Sequence, residues 1–225
     1  MWLIDSSIGR KLIMSISGVF LVLFLLFHSL MNIVVIISPS GYNAICAFLG
    51  ANWYAVLGTA VLAGGFVIHI LYALFLTYQN MRARGSEKYA ITKNQKSVEW
   101  SSQNMFVLGL IIFGFLALHF YNFWYRMQFA ELTGIETGEF KPADGAAYVQ
   151  ALFASKIYCG LYIVWLAALW LHLTHGIWSS LQTLGINNKV WFPRVKVISN
   201  IVSTIVILMF MSIPLYYLFG CGSSI

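Results

Sequence analysis

Five histidines, His28, His69, His119, His172 and His175, stand in stretches otherwise apolar enough to cross a membrane, and none stands in a polar segment. Ionisable side chains are costly in hydrocarbon, so those found there face a bundle interior or a functional path. An imidazole at such a place can hydrogen-bond a neighbouring helix, pass a proton or ligate a metal. Zinc and copper sites want three or four ligands close together, often with carboxylate or thiolate. The apolar stretches hold no Asp or Glu, and none of the cysteines, Cys46, Cys159 and Cys221, is a sequence neighbour of a histidine. With no Cys-x-x-Cys either, neither a zinc nor a thioredoxin-like motif is present.

The elements that carry these side chains follow from hydropathy. The chain has 225 residues, 60% hydrophobic and 9% charged, against about 25% charged in soluble domains. A spanning helix needs roughly 20 apolar residues. Five runs qualify, at about 12–37, 53–79, 104–125, 157–184 and 197–219. "SPSGYN" at 38–43, with Pro39 and Gly41, reads as a turn. Polar connections are expected at 80–103, at 126–156 (with Glu131, Glu136, Glu139 and Asp144) and at 185–196. The expected fold is an all-α membrane protein with one domain over 1–225 and no internal repeat.

Net charge is +6, but the cations cluster in short connections, which points to orientation in a membrane and not to nucleic acid. Arg10, Lys11, Arg82, Arg84, Lys88, Lys93, Lys96, Lys189, Arg194 and Lys196 fall on one side. Only Arg126, Lys141 and Lys156 fall on the other. The positive-inside rule then predicts a cytoplasmic N-terminus and an external C-terminus, with the three cysteines near the outer face. A disulfide between two of them is left open. The first apolar run is too long for a signal-peptide core and is read as a retained span.

Depth sorts the histidines. His28 lies 16 residues after Leu12 on a helix entering from inside, and His119 lies 14 after Met105 on another. His69 lies 16 after Trp53, and His172 lies 15 after Ile157, on helices entering from outside. At about 1.5 Å per residue this gives two pairs at two depths. His28 and His119 form the outer pair, His69 and His172 the inner one. Two trans imidazoles suit a six-coordinate haem iron, and filling both axial positions favours electron transfer over oxygen binding. Gly58, Leu62, Gly65 and His69 share one helical stripe. Its glycines would let a flat macrocycle near the backbone, or serve ordinary small-residue helix packing.

"SSIGRKLIMSISGVFLVLFLLFH" (6–28) and "HLTHGIWSSLQTLGI" (172–186) resemble the dihaem cytochrome b membrane anchor of succinate:quinone oxidoreductases. This is the single-chain, five-helix type found in succinate dehydrogenases and quinol:fumarate reductases. The resemblance covers essentially the whole chain, including helix number and histidine order. It implies that the first four helices hold two haems b, with His28 and His119 on the outer haem and His69 and His172 on the inner. The family's fourth-helix ligand precedes a glycine by 13 residues, as His172 precedes Gly185, whereas His175 precedes it by 10. His175 is then left to a haem propionate, a quinone or packing. Ser15 matches a position that hydrogen-bonds an inner-haem propionate in the family. Arg10 and Lys11 lie near that level, as propionate partners or as positive-inside anchors. Two departures stand out: residues 37–53 lack a carboxylate, and Trp170 stands two before His172, where some relatives carry a glutamate.

The resemblance further implies a bacterial cytoplasmic membrane, an FAD-containing flavoprotein partner, an iron–sulfur partner and a quinone substrate, menaquinone or another. Docking would use the N-terminus with 80–103 and 185–196. The direction of turnover and a dimer of heterotrimers are left open. The cytochrome b anchor of a hydrogenase or formate dehydrogenase is an alternative of the same class. A histidine-dependent proton or metal transporter is one of a different class, and the absence of intramembrane carboxylates counts against it.

Overall fold

The computed structural model of the chain describes residues 6–84 and 99–220. Lys88, Lys93, Lys96 and Cys221 lie outside the described residues. Among the described residues there is no strand. Five helices there are long and apolar enough to cross a membrane: Ser7–Ile37, Trp53–Ala83, Met105–Thr133, Lys156–Thr183 and Trp191–Leu218.

Helix α1 (Ser7–Ile37) starts earlier than its apolar run, because Ser6 caps it by accepting a hydrogen bond from the Gly9 amide at 2.9 Å. Ser38 is extended (φ −153°); its amide donates to Val34 O and its hydroxyl accepts from the Gly41 amide. It therefore ends α1 and starts α2 (Pro39–Phe48), with Pro39 in the first helical turn. The expected turn at 38–43 is a helix start instead. Proline has no amide to waste there, and its fixed φ suits the position.

Helix α3 spans Trp53–Arg84 and a short α4 spans Trp100–Gln103. Helix α5 (Met105–His119) runs into a π-helical segment, Phe120–Phe129, and then α6 (Ala130–Thr133). The third span thus reaches 133, not 125. The Arg126 guanidinium lies 5.1 Å from the Tyr121 ring centroid, so the charge rides on an aromatic face without ending the helix. Gly134, at φ +69°, closes it in the left-handed conformation that glycine tolerates. The expected polar connection at 126–156 also holds α7 (Gly145–Phe153). Asn43 ties α7 to α2: its Nδ2 donates to Asp144 Oδ1 at 2.7 Å, and its Oδ1 accepts from the Ala146 amide at 2.8 Å.

Helix α8 (Lys156–Thr183) is followed by α9 (Trp191–Leu218). The fifth span begins at 191, not 197, since Pro193 falls in the first turn, where a missing amide costs nothing. Helix α8 packs most extensively on α9, α1 packs on α3, α8 and α9, and α5 packs on α8. Ser29, Ser199 and Ser203 are wholly buried, small residues of the kind that let helices approach closely. One buried cluster joins Val35, Tyr42, Val149, Phe153, Cys159, Tyr162, Trp165 and Ile213. It closes the end of the bundle at which α1 finishes.

Candidate functional site

Histidine rings meet across the bundle in two places. His28 of α1 and His119 of α5 stand 6.0 Å apart between ring centroids, with their planes at 88°. His69 of α3 and His172 of α8 stand 6.4 Å apart, with planes at 71°. Neither α1 with α5 nor α3 with α8 is among the closely packed helix pairs. The helices sharing a histidine pair are diagonal partners, and the side chains reach towards each other across the space between them.

Aromatic rings enclose the first pair. Phe24 stacks on His28 at 5.1 Å and Phe210 of α9 lies 5.6 Å from it. Phe123, Trp165 and Tyr162 lie 5.2, 5.4 and 6.3 Å from His119. Asn32, one turn beyond His28, has its Nδ2 3.2 Å from His28 Nδ1 and donates to His28 O at 2.8 Å. Tyr42 in turn donates to Asn32 Oδ1 at 3.0 Å. Asn122, in the π-helical segment, donates to the Tyr162 hydroxyl at 3.2 Å. A π turn shifts the facing of the residues after it, and such segments recur at functional sites.

The second pair lies beside Ser17 and Gly18 of α1. Ser17 donates its hydroxyl hydrogen to Met14 O at 3.0 Å. Its oxygen, 3.3 Å from His69 Nδ1, is left to accept from that ring nitrogen. An imidazole with its proton held on Nδ1 presents a free Nε2 lone pair, the form that ligates metal. A Cβ at Gly18 would lie 3.6 Å from His69 Cε1, so the helix backbone passes close to this ring. Gly18 and His28 are ten residues apart, which sets the two pairs about 15 Å apart along α1.

A metal–imidazole bond is about 2.0–2.1 Å, so one metal between two rings would set their centroids about 6–6.5 Å apart. Both pairs meet that separation. Among the described residues, no three His, Cys, Asp or Glu side chains converge. The imidazoles come in twos, which suits an iron already held by a macrocycle better than a bare ion. The Nδ1 atoms of His119 and His172 are buried without a hydrogen-bond partner in the chain, a condition that costs about 1–3 kcal/mol per group unless something else satisfies it. The residues present therefore fit two bis-histidine haems.

His175 belongs to neither pair. Its Nδ1 lies 3.6 Å from Glu99 Oε2, too far for a hydrogen bond, and its ring meets Trp178 edge-on at 4.6 Å. Lys196 Nζ donates to Glu99 Oε1 at 2.9 Å and sits 4.3 Å from the Trp178 ring centroid. Partial burial pushes the Glu99 carboxyl up, but the Lys196 ammonium and His175 outweigh it and hold it below the usual range. Ser15 is buried, yet it is Ser17 whose hydroxyl meets His69. Arg10 lies under Phe75, 5.6 Å from its ring centroid, and Lys11 is exposed. Gly65 receives the Phe20 ring, while nothing lies within 4 Å of where a Cβ at Gly58 would stand. Cys46 and Cys159 are free thiols, and burial pushes the Cys46 thiol up to about 11.

Several of these residues escape sequence reasoning. Ser17 is one of several serines along α1, and only the fold tells it from Ser15. Asn32 was findable, as a polar side chain four residues after a histidine on an apolar helix. Glu99 meets His175 across 76 positions of sequence, and no spacing reveals that.

No family model, curated protein or solved structure matches the chain.

Proposed function

We propose that the chain is the membrane-anchor cytochrome b subunit of a succinate:quinone oxidoreductase, succinate dehydrogenase or fumarate reductase in type. The observation that carries this reading is the two histidine pairs, at two levels of one bundle, each with its rings at metal-bridging separation. The resemblance of segments 6–28 and 172–186 supplies the choice of complex.

In this reading His28 and His119 hold the outer haem b, and His69 and His172 hold the inner one. When bound, the two haems supply one-electron transfer along the bilayer normal between an iron–sulfur partner and a quinone, menaquinone or another. The chain's own residues prepare the ligands. Ser17 holds a proton on His69 Nδ1, which leaves Nε2 free to bind. Phe24, Phe210, Phe123 and Trp165 exclude water from the first pair and fix its ring planes. The dicarboxylate chemistry falls to an FAD-containing partner.

In this reading the N-terminus lies in the cytoplasm, which the positive-inside pattern supports, and the resemblance implies a bacterial membrane with the partners docked on that side. The His175–Glu99–Lys196 cluster, between α4 and the facing ends of α8 and α9, lies on that face. Purification from native membranes tests the reading. Co-purifying FAD and iron–sulfur subunits, with succinate-driven reduction of a quinone analogue, support it. Co-purifying nickel or molybdenum would assign the chain to a hydrogenase or formate dehydrogenase instead.

A further inference from the structure

A groove of about 570 Å³ opens between the start of α1 and the end of α3, lined by Arg10, Phe75, Tyr78, Gln79, Arg82 and Ala83. We propose that it binds the phosphate head group of an anionic phospholipid.

Charge comes first. Arg10 stands near the start of α1, whose first turn holds no acidic residue. Backbone amides make that end partially positive, so a cation there is unfavourable until an anion joins it. The Arg10 Nε is buried without a hydrogen-bond partner. Arg82 comes from the last turns of α3 and lines the same groove. Among the described residues, no carboxylate lines it. At this end of the bundle the described residues include one carboxylate, Glu99, and it is committed to Lys196 at 2.9 Å.

Depth and shape then select the ligand. Arg10 and Arg82 stand at the ends of two spans, Ser7–Ile37 and Trp53–Ala83, which is head-group level. Phe75 and Tyr78 are 44% and 61% exposed and face outward from the bundle, where acyl chains run. A ligand must therefore offer an anion to two guanidinium groups and an apolar stem to two aromatic rings. Paired arginines match phosphate oxygens, and basic pockets between spanning helices take anionic head groups. The histidine-bound groups are a poor source of this anion. Arg10 lies eight residues before Gly18, about 12 Å along the helix, and its groove opens away from the bundle interior. The inference is independent of haem.

The test uses the full chain, purified in a neutral detergent. Phosphatidylglycerol, phosphatidylcholine of the same acyl chains, and inorganic phosphate are each added before native mass spectrometry and thermal unfolding. Phosphatidylglycerol alone is expected to give a one-lipid adduct and a raised unfolding temperature. Losing one arginine should weaken this about fivefold, from about 1 kcal/mol per basic residue near a lipid surface. Arg82 is exposed, so Arg82→Gln leaves packing intact, and Arg10→Lys keeps the charge of this half-buried residue if Arg10→Gln destabilises the chain. Arg194→Gln, which removes a guanidinium over Trp191, is the control and should bind as the parent does. Equal binding of phosphatidylcholine, or undiminished binding in Arg82→Gln, overturns the proposal. Displacement of the lipid by inorganic phosphate at similar concentration would make this a free-phosphate site. A loss of haem absorbance in Arg10→Gln with lipid binding intact would give Arg10 to a haem propionate instead.

Discussion

His69 and His172 face each other with 6.4 Å between ring centroids and 71° between ring planes, across two helices that are not close neighbours in the bundle. Two imidazoles gain little from each other at that distance. Burying them unpaired is unfavourable, and the His172 Nδ1 has no partner in the chain. In the proposed reading, a haem held between the rings would give both imidazoles a metal to bind and would account for two helices standing apart.

Removing one ring should therefore cost one haem and spare the other. His172→Ala is expected to leave one haem b per chain, at the His28–His119 level, and His28→Ala to leave the other. Pyridine haemochrome counting of each variant checks this. Both haems surviving in His172→Ala would break the pairing.

Ser17 acts through His69. With its hydrogen on Met14 O, the serine oxygen orients the His69 ring. Ser17→Ala should weaken retention of the inner haem by about 10–100-fold, the usual cost of losing an outer-shell partner. Outer haem occupancy should not change. Ser15→Ala, two residues away, is the comparison and should retain both haems.

Gly65 is a packing position. A Cβ there would come within 2.5 Å of Phe20 Cε1. Gly65→Ala should destabilise by about 1–3 kcal/mol through overpacking, and Phe20→Leu in the same chain should recover part of it. Gly58→Ala meets nothing within 4 Å and should be close to neutral. Thermal unfolding in detergent separates these outcomes.

Glu99 gives a pH dependence with a definite sign. Its carboxyl is held below the ordinary value of 4.5, with Lys196 and His175 outweighing the upward push of burial. A depressed pKa contributes stability that is complete above the unfolded value and is lost as pH falls through the folded one. The contribution should be level between neutral pH and about 5 and should decline below about 4.5. Glu99 is 41% exposed, so the pair is worth about 0.2–1 kcal/mol at most. Glu99→Gln should be slightly less stable than the parent at pH 7, and the difference should shrink as pH falls below about 4.5.

The five spans were legible because apolar runs of this length have few other uses, and the histidines were legible because they interrupt those runs. Ends were less so. A hydropathy reading stops at Arg126, but the guanidinium lies over Tyr121 and the helix continues to Thr133. Pro39 and Pro193 look like breakers in sequence and act as helix starters in the fold, since capping by Ser38 and first-turn placement remove their cost. The partners of His69 and His175, Ser17 and Glu99, depend on tertiary register between helices. Local pattern does not encode that register.

A dithionite-reduced minus oxidised optical spectrum of the detergent-purified chain, with its haem counted as pyridine haemochrome, decides whether the histidine pairs hold haem. Two haems b per chain are predicted, one for each histidine pair. A folded chain, co-expressed with the proposed flavoprotein and iron–sulfur subunits and carrying no haem, would rule haem out and return the four histidines to packing or proton transfer.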